Sequence, residues 1–167
     1  EHIESHGSFE KYRAAKGELF TALKNGGKII VNVDDANADY FAGFRASQKW
    51  GYGLKKIQLS QLLSIHNYVA PENYQIKDDG LEFNLKGIGF QSGLLGEFNL
   101  YNILAAVTAA KIYGVNLHSA AKAVEKVGFL PGRMEEIKNS RGFRVFVDYA
   151  HTPDSLEKTY KIFKPMA

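Results

Sequence analysis

Residues Gly132–Glu157, GRMEEIKNSRGFRVFVDYAHTPDSLE, decide how this chain is read. Phe143 to Val147 is an apolar run of β-branched and aromatic residues that predicts a buried strand ending at Asp148. Thr152-Pro153-Asp154 comes next, with an N-cap hydroxyl, a proline suited to the first helical position and a first-turn acid. Strand, tight loop and helix start in that order are a building unit of open α/β sheets, where ligands sit beyond the carboxyl ends of strands. Asp148, Tyr149 and His151 fall at that place. Taken alone, they also read as an acid closing a strand and an exposed loop histidine.

Upstream, Leu130-Pro131-Gly132 punctuates the chain where helical pattern gives way to strand pattern, and predicts a hinge between domains. The segment after this hinge is shorter than a typical independent domain of about 50 residues. Arg133 sits directly on the hinge. A guanidinium there can clamp phosphate or ribose oxygens, or form a surface ion pair with Glu135 or Glu136. Residues 99 to 113 and 117 to 127 read as alanine-rich helices separated by Gly114. Asn99 suits an N-cap, while Asn102 lies within the first turn, where asparagine is a poor helix former. From Trp50 to Leu95 the pattern predicts a small antiparallel sheet, with Asp79-Gly80 in a hairpin and Leu81, Phe83 and Leu85 alternating after it. Lys28 to Val33 predicts a strand ended by Asp34 and Asp35, and Ala36 to Phe44 a short helix.

Residues 8 to 24 predict an amphipathic helix stopped by Asn25-Gly26-Gly27. At about 100° per residue, Lys16 falls in the middle of the stripe formed by Phe9, Tyr12, Leu19, Phe20 and Leu23. Burial there would favour a neutral, nucleophilic amine, whereas snorkelling would leave an ordinary ammonium in water. His2 and His6 are spaced by four, as in metal-binding helices, but no HExxH pattern surrounds them.

The chain has 167 residues, 45% hydrophobic and 23% charged, enough to bury a core and too apolar for disorder. Its 21 basic and 18 acidic residues are scattered, so no nucleic-acid partner is expected. No apolar run approaches the roughly 18 residues of a membrane span, and no signal-like series opens the chain. With no cysteine, disulfides and thiolate metal sites are excluded, which is compatible with a reducing cytoplasm.

Three segments in order, HIESHGSFEKYRAAKGELF at 2 to 20, GEFNLYNILAAVTAA at 96 to 110 and the GRME to DSLE run, resemble the Mur ligase family and within it the muramyl-tripeptide synthetases. The resemblance implies an α/β fold. Residues 1–130 would belong to the central ATP-binding domain, with helices, strands and a small antiparallel sheet, and 131–167 would begin the Rossmann-like C-terminal domain. It implies a cytoplasmic ATP-dependent amide ligase of peptidoglycan synthesis. This enzyme would add diaminopimelate or lysine to UDP-N-acetylmuramoyl-L-alanyl-D-glutamate through an acyl phosphate, with ATP and magnesium as cofactors.

By the same resemblance, Lys16 is carbamylated and His2 ligates magnesium, Asn99 and Asn102 belong to the nucleotide site with Asn102 facing adenine, Arg133 contacts the nucleotide, Asp148 accepts from ribose hydroxyls and His151 lies nearby. Glu4 and Ser5 depart from the aspartate and tyrosine commoner in that segment. No G-x-x-x-x-G-K-[ST] phosphate loop occurs, and Gly26-Gly27-Lys28 precedes a strand instead of following one. The expectation is therefore an internal fragment, inactive as a ligase. Other readings are a different Mur-like ligase, of the cyanophycin or folylpolyglutamate synthetase type, and a non-catalytic binding module of the same fold.

Overall fold

The structure, a computed structural model, describes residues 6–55, 57 and 64–164. The chain divides into two compact units. One takes in the residues up to Ala70 together with Leu104–Gly114, the other Pro71–Ile103 and the residues from Val115 onward.

In the first unit, helix α1 (Phe9–Thr21) starts at Ser8, whose hydroxyl accepts from the Lys11 amide at 3.2 Å. Strand β1 (Lys28–Asn32), helix α2 (Ala38–Ala42) and strands β2 (Gln48–Tyr52) and β3 (Asn67–Val69) come after it. The strands form a parallel sheet in the order β1-β2-β3, with Ile30 opposite Trp50 and Trp50 opposite Asn67. Parallel neighbours need a crossover, and α2 lies in the one between β1 and β2. Ile29, Val31, Val33, Ala42 and Ile65 form the core, with Phe20, Leu23, Phe41 and Phe44 packed against it. The antiparallel sheet expected from Trp50 to Leu95 is thus confined to the later part of that span. Periodicity within one strand cannot tell a parallel partner from an antiparallel one.

The face that α1 buries differs from the apolar stripe read in the sequence. Gly17 is the helix's buried residue, and a Cβ on it would meet Tyr40 Oη at 2.8 Å and Phe44 Cζ at 2.9 Å. One helical turn away, Phe20 lies against Phe41 and Phe44 at centroid distances of 5.1 and 5.6 Å, and the Arg13 guanidinium lies 4.5 Å from the Tyr40 ring centroid. The packed face is therefore centred on Gly17, about 100° round from Lys16. Lys16 is exposed, as are Phe9 and Leu19.

Beyond β1, the Asp34 carboxylate accepts from the Leu54 amide at 2.6 Å, and Tyr68 Oη donates to the Lys55 carbonyl at 2.6 Å. Burial, and secondarily Asp34, pushes the Tyr68 pKa up to about 12. A phenol whose folded-state pKa is raised contributes stability that is fully present below the unfolded value near 10 and is lost as pH rises through about 12. Tyr68→Phe should lose about 1 kcal/mol at pH 8, for the missing hydrogen bond. Between pH 10 and 12 it should lose less further stability than the parent. Urea unfolding across that range checks the sign.

In the second unit, β4 (Asn73–Lys77), β5 (Gly80–Leu85) and β6 (Ile88–Ser92) form an antiparallel sheet in chain order. Lys86 at φ 50° and Gly87 at φ 74° make the two-residue turn between β5 and β6, the conformation that suits the twist of a hairpin. Alternation buries Leu81, Phe83 and Leu85, and Phe83 stacks on Phe90 at 4.8 Å. Helix α3 (Glu97–Ile112) buries Leu100 and Leu104 completely, and its residues count with the second unit up to Ile103 and with the first from Leu104. Helix α4 (Leu117–Glu125), capped by Asn116, packs against β6.

A two-stranded ribbon closes the described chain: β7 (Glu135–Ile137) pairs antiparallel with β8 (Val145–Val147), and helix α5 (Pro153–Phe163) comes last. The predicted helix start is observed in full, since Thr152 and Ser155 form a reciprocal capping box and Pro153 takes the first turn. The strand itself is shorter than Phe143–Val147 and is not buried, with Val145 37% and Val147 46% exposed. Among the described residues only Phe146 gains a ring partner from α5, Phe163 at 4.4 Å.

Candidate functional site

The turn that carries Arg133 is built against the backbone's own preference. Gly132 at φ 65° adopts the left-handed region without cost, but Met134 at φ 51° has a Cβ and incurs about 1–2 kcal/mol there. Hydrogen bonds on every side hold the conformation. The Arg133 amide donates to the Leu130 carbonyl and the Tyr149 amide to the Gly132 carbonyl, each at 2.9 Å. The Gly132 amide donates to Glu135 Oε2 and the Met134 amide to Asp148 Oδ2, each at 2.8 Å. The Met134 side chain is buried beneath the turn.

Asp148 ends β8 and joins this turn to the loop after it. Its Oδ1 accepts from the Ala150 amide at 2.7 Å while Oδ2 holds Met134. Each oxygen of a carboxylate has a second lone pair, so the group can still accept from hydroxyls of a ligand. His151 Nδ1 lies 2.8 Å from the Tyr149 carbonyl, which can only accept, so Nδ1 is the donor in this contact. The Tyr149 ring meets His151 edge-on at 4.9 Å, and the Arg133 guanidinium lies 4.9 Å from the Tyr149 ring centroid.

Arg133 is not neutralised by its neighbours. Glu135 is engaged by the Gly132 amide, and Glu136 holds Arg144 through two contacts of 2.8 Å. The Arg144 hydrogen bond, above all, keeps the Glu136 carboxyl below its usual range. Among the described residues no carboxylate pairs with Arg133. The surface ion pair with Glu135 or Glu136 is therefore not what the structure contains. A guanidinium over an aromatic ring, with no carboxylate paired to it among the described residues, has the chemistry to receive an anionic oxygen.

Asn99 and Asn102 are joined to each other. Helix α3 begins at Glu97, so Asn99 lies inside the first turn and is not the N-cap that its sequence position suggests. It is buried, with Nδ2 donating to the Leu95 carbonyl at 2.8 Å and Oδ1 accepting from Asn102 Nδ2 at 3.1 Å. Asn99 is thus engaged internally at both ends of its carboxamide and orients Asn102, which is exposed.

Lys16 belongs to the first unit, and its Nζ lies 5.6 Å from the Tyr12 ring centroid. Its exposure removes the burial argument for a neutral amine. His2 lies outside the described residues. Among the described residues no cluster of three or more histidine or carboxylate side chains is arranged to hold a metal ion. Arg133 and Asp148 offer, on one turn, a guanidinium and a carboxylate with spare lone pairs, and Asn102 offers an exposed carboxamide on α3.

Glu135 and Tyr149 also shape this site. Sequence pattern puts Tyr149 at the strand end without a role, and offers Glu135 only as an ion partner. The Gly-Arg-x-Glu spacing is the available signal, because it lets a carboxylate reach back to an amide in a tight turn.

The model of the Mur ligase middle domain matches residues 1–110 of the chain. The UDP-N-acetylmuramoyl-L-alanyl-D-glutamate--2,6-diaminopimelate ligase of Halalkalibacterium halodurans is 37% identical over 174 aligned positions, covering 100% of this chain and 34% of that protein. UDP-N-acetylmuramyl-tripeptide synthetase 2 of Oceanobacillus iheyensis is 33% identical, covering 99% of this chain and 34% of that protein. Among solved structures, MurF from Acinetobacter baumannii superimposes with a TM-score of 0.79 at 20% identity, covering 98% of this chain and 35% of that one, which supports the fold alone. The chain spans about a third of the length of the curated relatives it matches.

Proposed function

This chain belongs to the Mur ligase family, and from that premise we propose that the whole protein is an ATP-dependent ligase of peptidoglycan precursor assembly. Its substrate in this reading is UDP-N-acetylmuramoyl-L-alanyl-D-glutamate, to which it joins a third amino acid. The name of the 37% identical relative favours diaminopimelate over lysine. Residues 1–130 are assigned to the central domain and 131–167 to the start of the next. The reading places the protein in the cytoplasm, where ATP is available, and among the described residues no helix is long and apolar enough to cross a membrane.

The observation that carries this proposal is Arg133, held on a strained turn with no carboxylate paired to it among the described residues. Its guanidinium binds phosphate or ribose oxygens with two parallel donors. Asp148 accepts from ribose hydroxyls through the lone pairs its two amide contacts leave over, Asn102 presents a carboxamide to the adenine edge and His151 lies on the loop that follows Asp148. When bound, ATP supplies the phosphoryl group that activates the substrate carboxylate. Lys16, open to solvent, is accessible to carbon dioxide for conversion to a carbamate, and with His2 remains the metal-side pair of the proposal.

Calorimetric titration of ATP into the chain should show binding, weakened about tenfold in Arg133→Ala. With ATP, the dipeptide precursor and diaminopimelate or lysine, these 167 residues should release no phosphate, because they contain no G-x-x-x-x-G-K-[ST] cradle. Turnover at an ordinary ligase rate would overturn the reading that phosphate transfer needs that cradle. Absence of ATP binding would overturn the nucleotide site.

A further inference from the structure

We propose that Glu135 is the positioning residue for Arg133. The two backbone amides that flank Arg133 are each held by a carboxylate, Gly132 by Glu135 and Met134 by Asp148, both at 2.8 Å. The Met134 contact fixes the peptide plane that follows the arginine, the Gly132 contact fixes the Pro131–Gly132 plane at the start of the turn, and the arginine side chain lies over the Tyr149 ring. Both contacts lie across the two left-handed residues of the turn, where an unrestrained backbone would relax. The Gly132 contact directs Glu135 Oε2 to that amide, and among the described residues this acid, the nearest in sequence, forms no ion pair with the guanidinium. Glu135 therefore acts on Arg133 through the turn, by holding the Gly132 end of the strained segment that carries the side chain.

The geometric part stands on the turn alone, whereas its effect on ligand rests on the nucleotide reading above. Two measurements on the 167-residue chain separate them. The first needs no ligand: the Arg133 side-chain protons should carry a ring-current shift in the NMR spectrum from Tyr149. Glu135→Ala should abolish that shift and speed hydrogen exchange of the Gly132 amide. Glu135→Gln, which keeps one acceptor oxygen, should preserve both.

The second measurement is ATP affinity by calorimetry. Glu135→Ala should weaken it about tenfold, Glu135→Gln about twofold at most, and Glu135→Ala in an Arg133→Ala background should add nothing. An unchanged ring-current shift in Glu135→Ala would overturn the positioning role, as would a further full loss of affinity in the Arg133→Ala background. If the parent chain binds no ATP, the nucleotide reading fails while the ring-current shift still decides the role of Glu135.

Discussion

Replacing Asp148 by alanine should weaken ATP binding by about 50- to 100-fold, equivalent to about 2–3 kcal/mol, and should release the turn that carries Arg133. The reason lies in where the two carboxylate oxygens go. One accepts from the Met134 amide at 2.8 Å and the other from the Ala150 amide at 2.7 Å, so removal strands two donors at once. Asp148→Asn should be nearly as damaging, because its NH2 group must then face one of those amides, donor against donor. Glu135 holds a single amide, and a glutamine there can turn its oxygen toward it. The contrast between an intolerant Asp148→Asn and a tolerant Glu135→Gln distinguishes a brace from a purely electrostatic role. Calorimetry, with hydrogen exchange at Met134 and Ala150, reads both effects; equal tolerance of the two amide variants would reject the brace.

Phe83→Ala should cost about 3–5 kcal/mol of stability, the range for emptying a large buried aromatic site. Phe83 is 2% exposed, lies at the centre of β5 and stacks on Phe90 with ring planes 16° apart. Its strand neighbours Leu81 and Leu85 point to the same buried face, so little can collapse into the space left behind. A domain of ordinary stability has only about 5–15 kcal/mol in total, so the second unit would approach its unfolding threshold. Phe83→Leu, keeping most of the volume, should lose far less. Urea unfolding followed by far-ultraviolet circular dichroism measures the difference, and a cost below about 1 kcal/mol for Phe83→Ala would show that the stack is not the anchor of this sheet.

Several elements are readable in the sequence because their signals are local. The cap at Thr152-Pro153, the helices on either side of Gly114 and the alternation of Leu81, Phe83 and Leu85 each depend on a few adjacent residues. The packed face of α1 escapes such reading for a different reason. Counting apolar side chains favours Phe9 and Leu19, but packing is decided by the absence of a side chain at Gly17 and by the flat guanidinium of Arg13 against Tyr40. Neither registers as hydrophobic. The strand Gln48–Tyr52 is likewise hidden, since its partners β1 and β3 are remote in sequence.

At the site, Arg133 and Asp148 stand out by residue type and position. The service of Glu135 to the Gly132 amide does not, because it depends on a backbone conformation in which Met134, a residue with no evident preference for it, is left-handed.

The frame around Arg133 also has a kinetic consequence. Its hydrogen bonds close between residues near in sequence, the Met134 to Asp148 contact spanning 14 positions, and the ribbon beneath it is a simple hairpin. Loops of that length close in well under a microsecond and hairpins form within about 10 microseconds, whereas β1-β2-β3 must wait for crossovers to be completed. The frame can thus form early in folding and reform quickly after local opening, so Arg133 regains its orientation faster than the rest of the chain could refold.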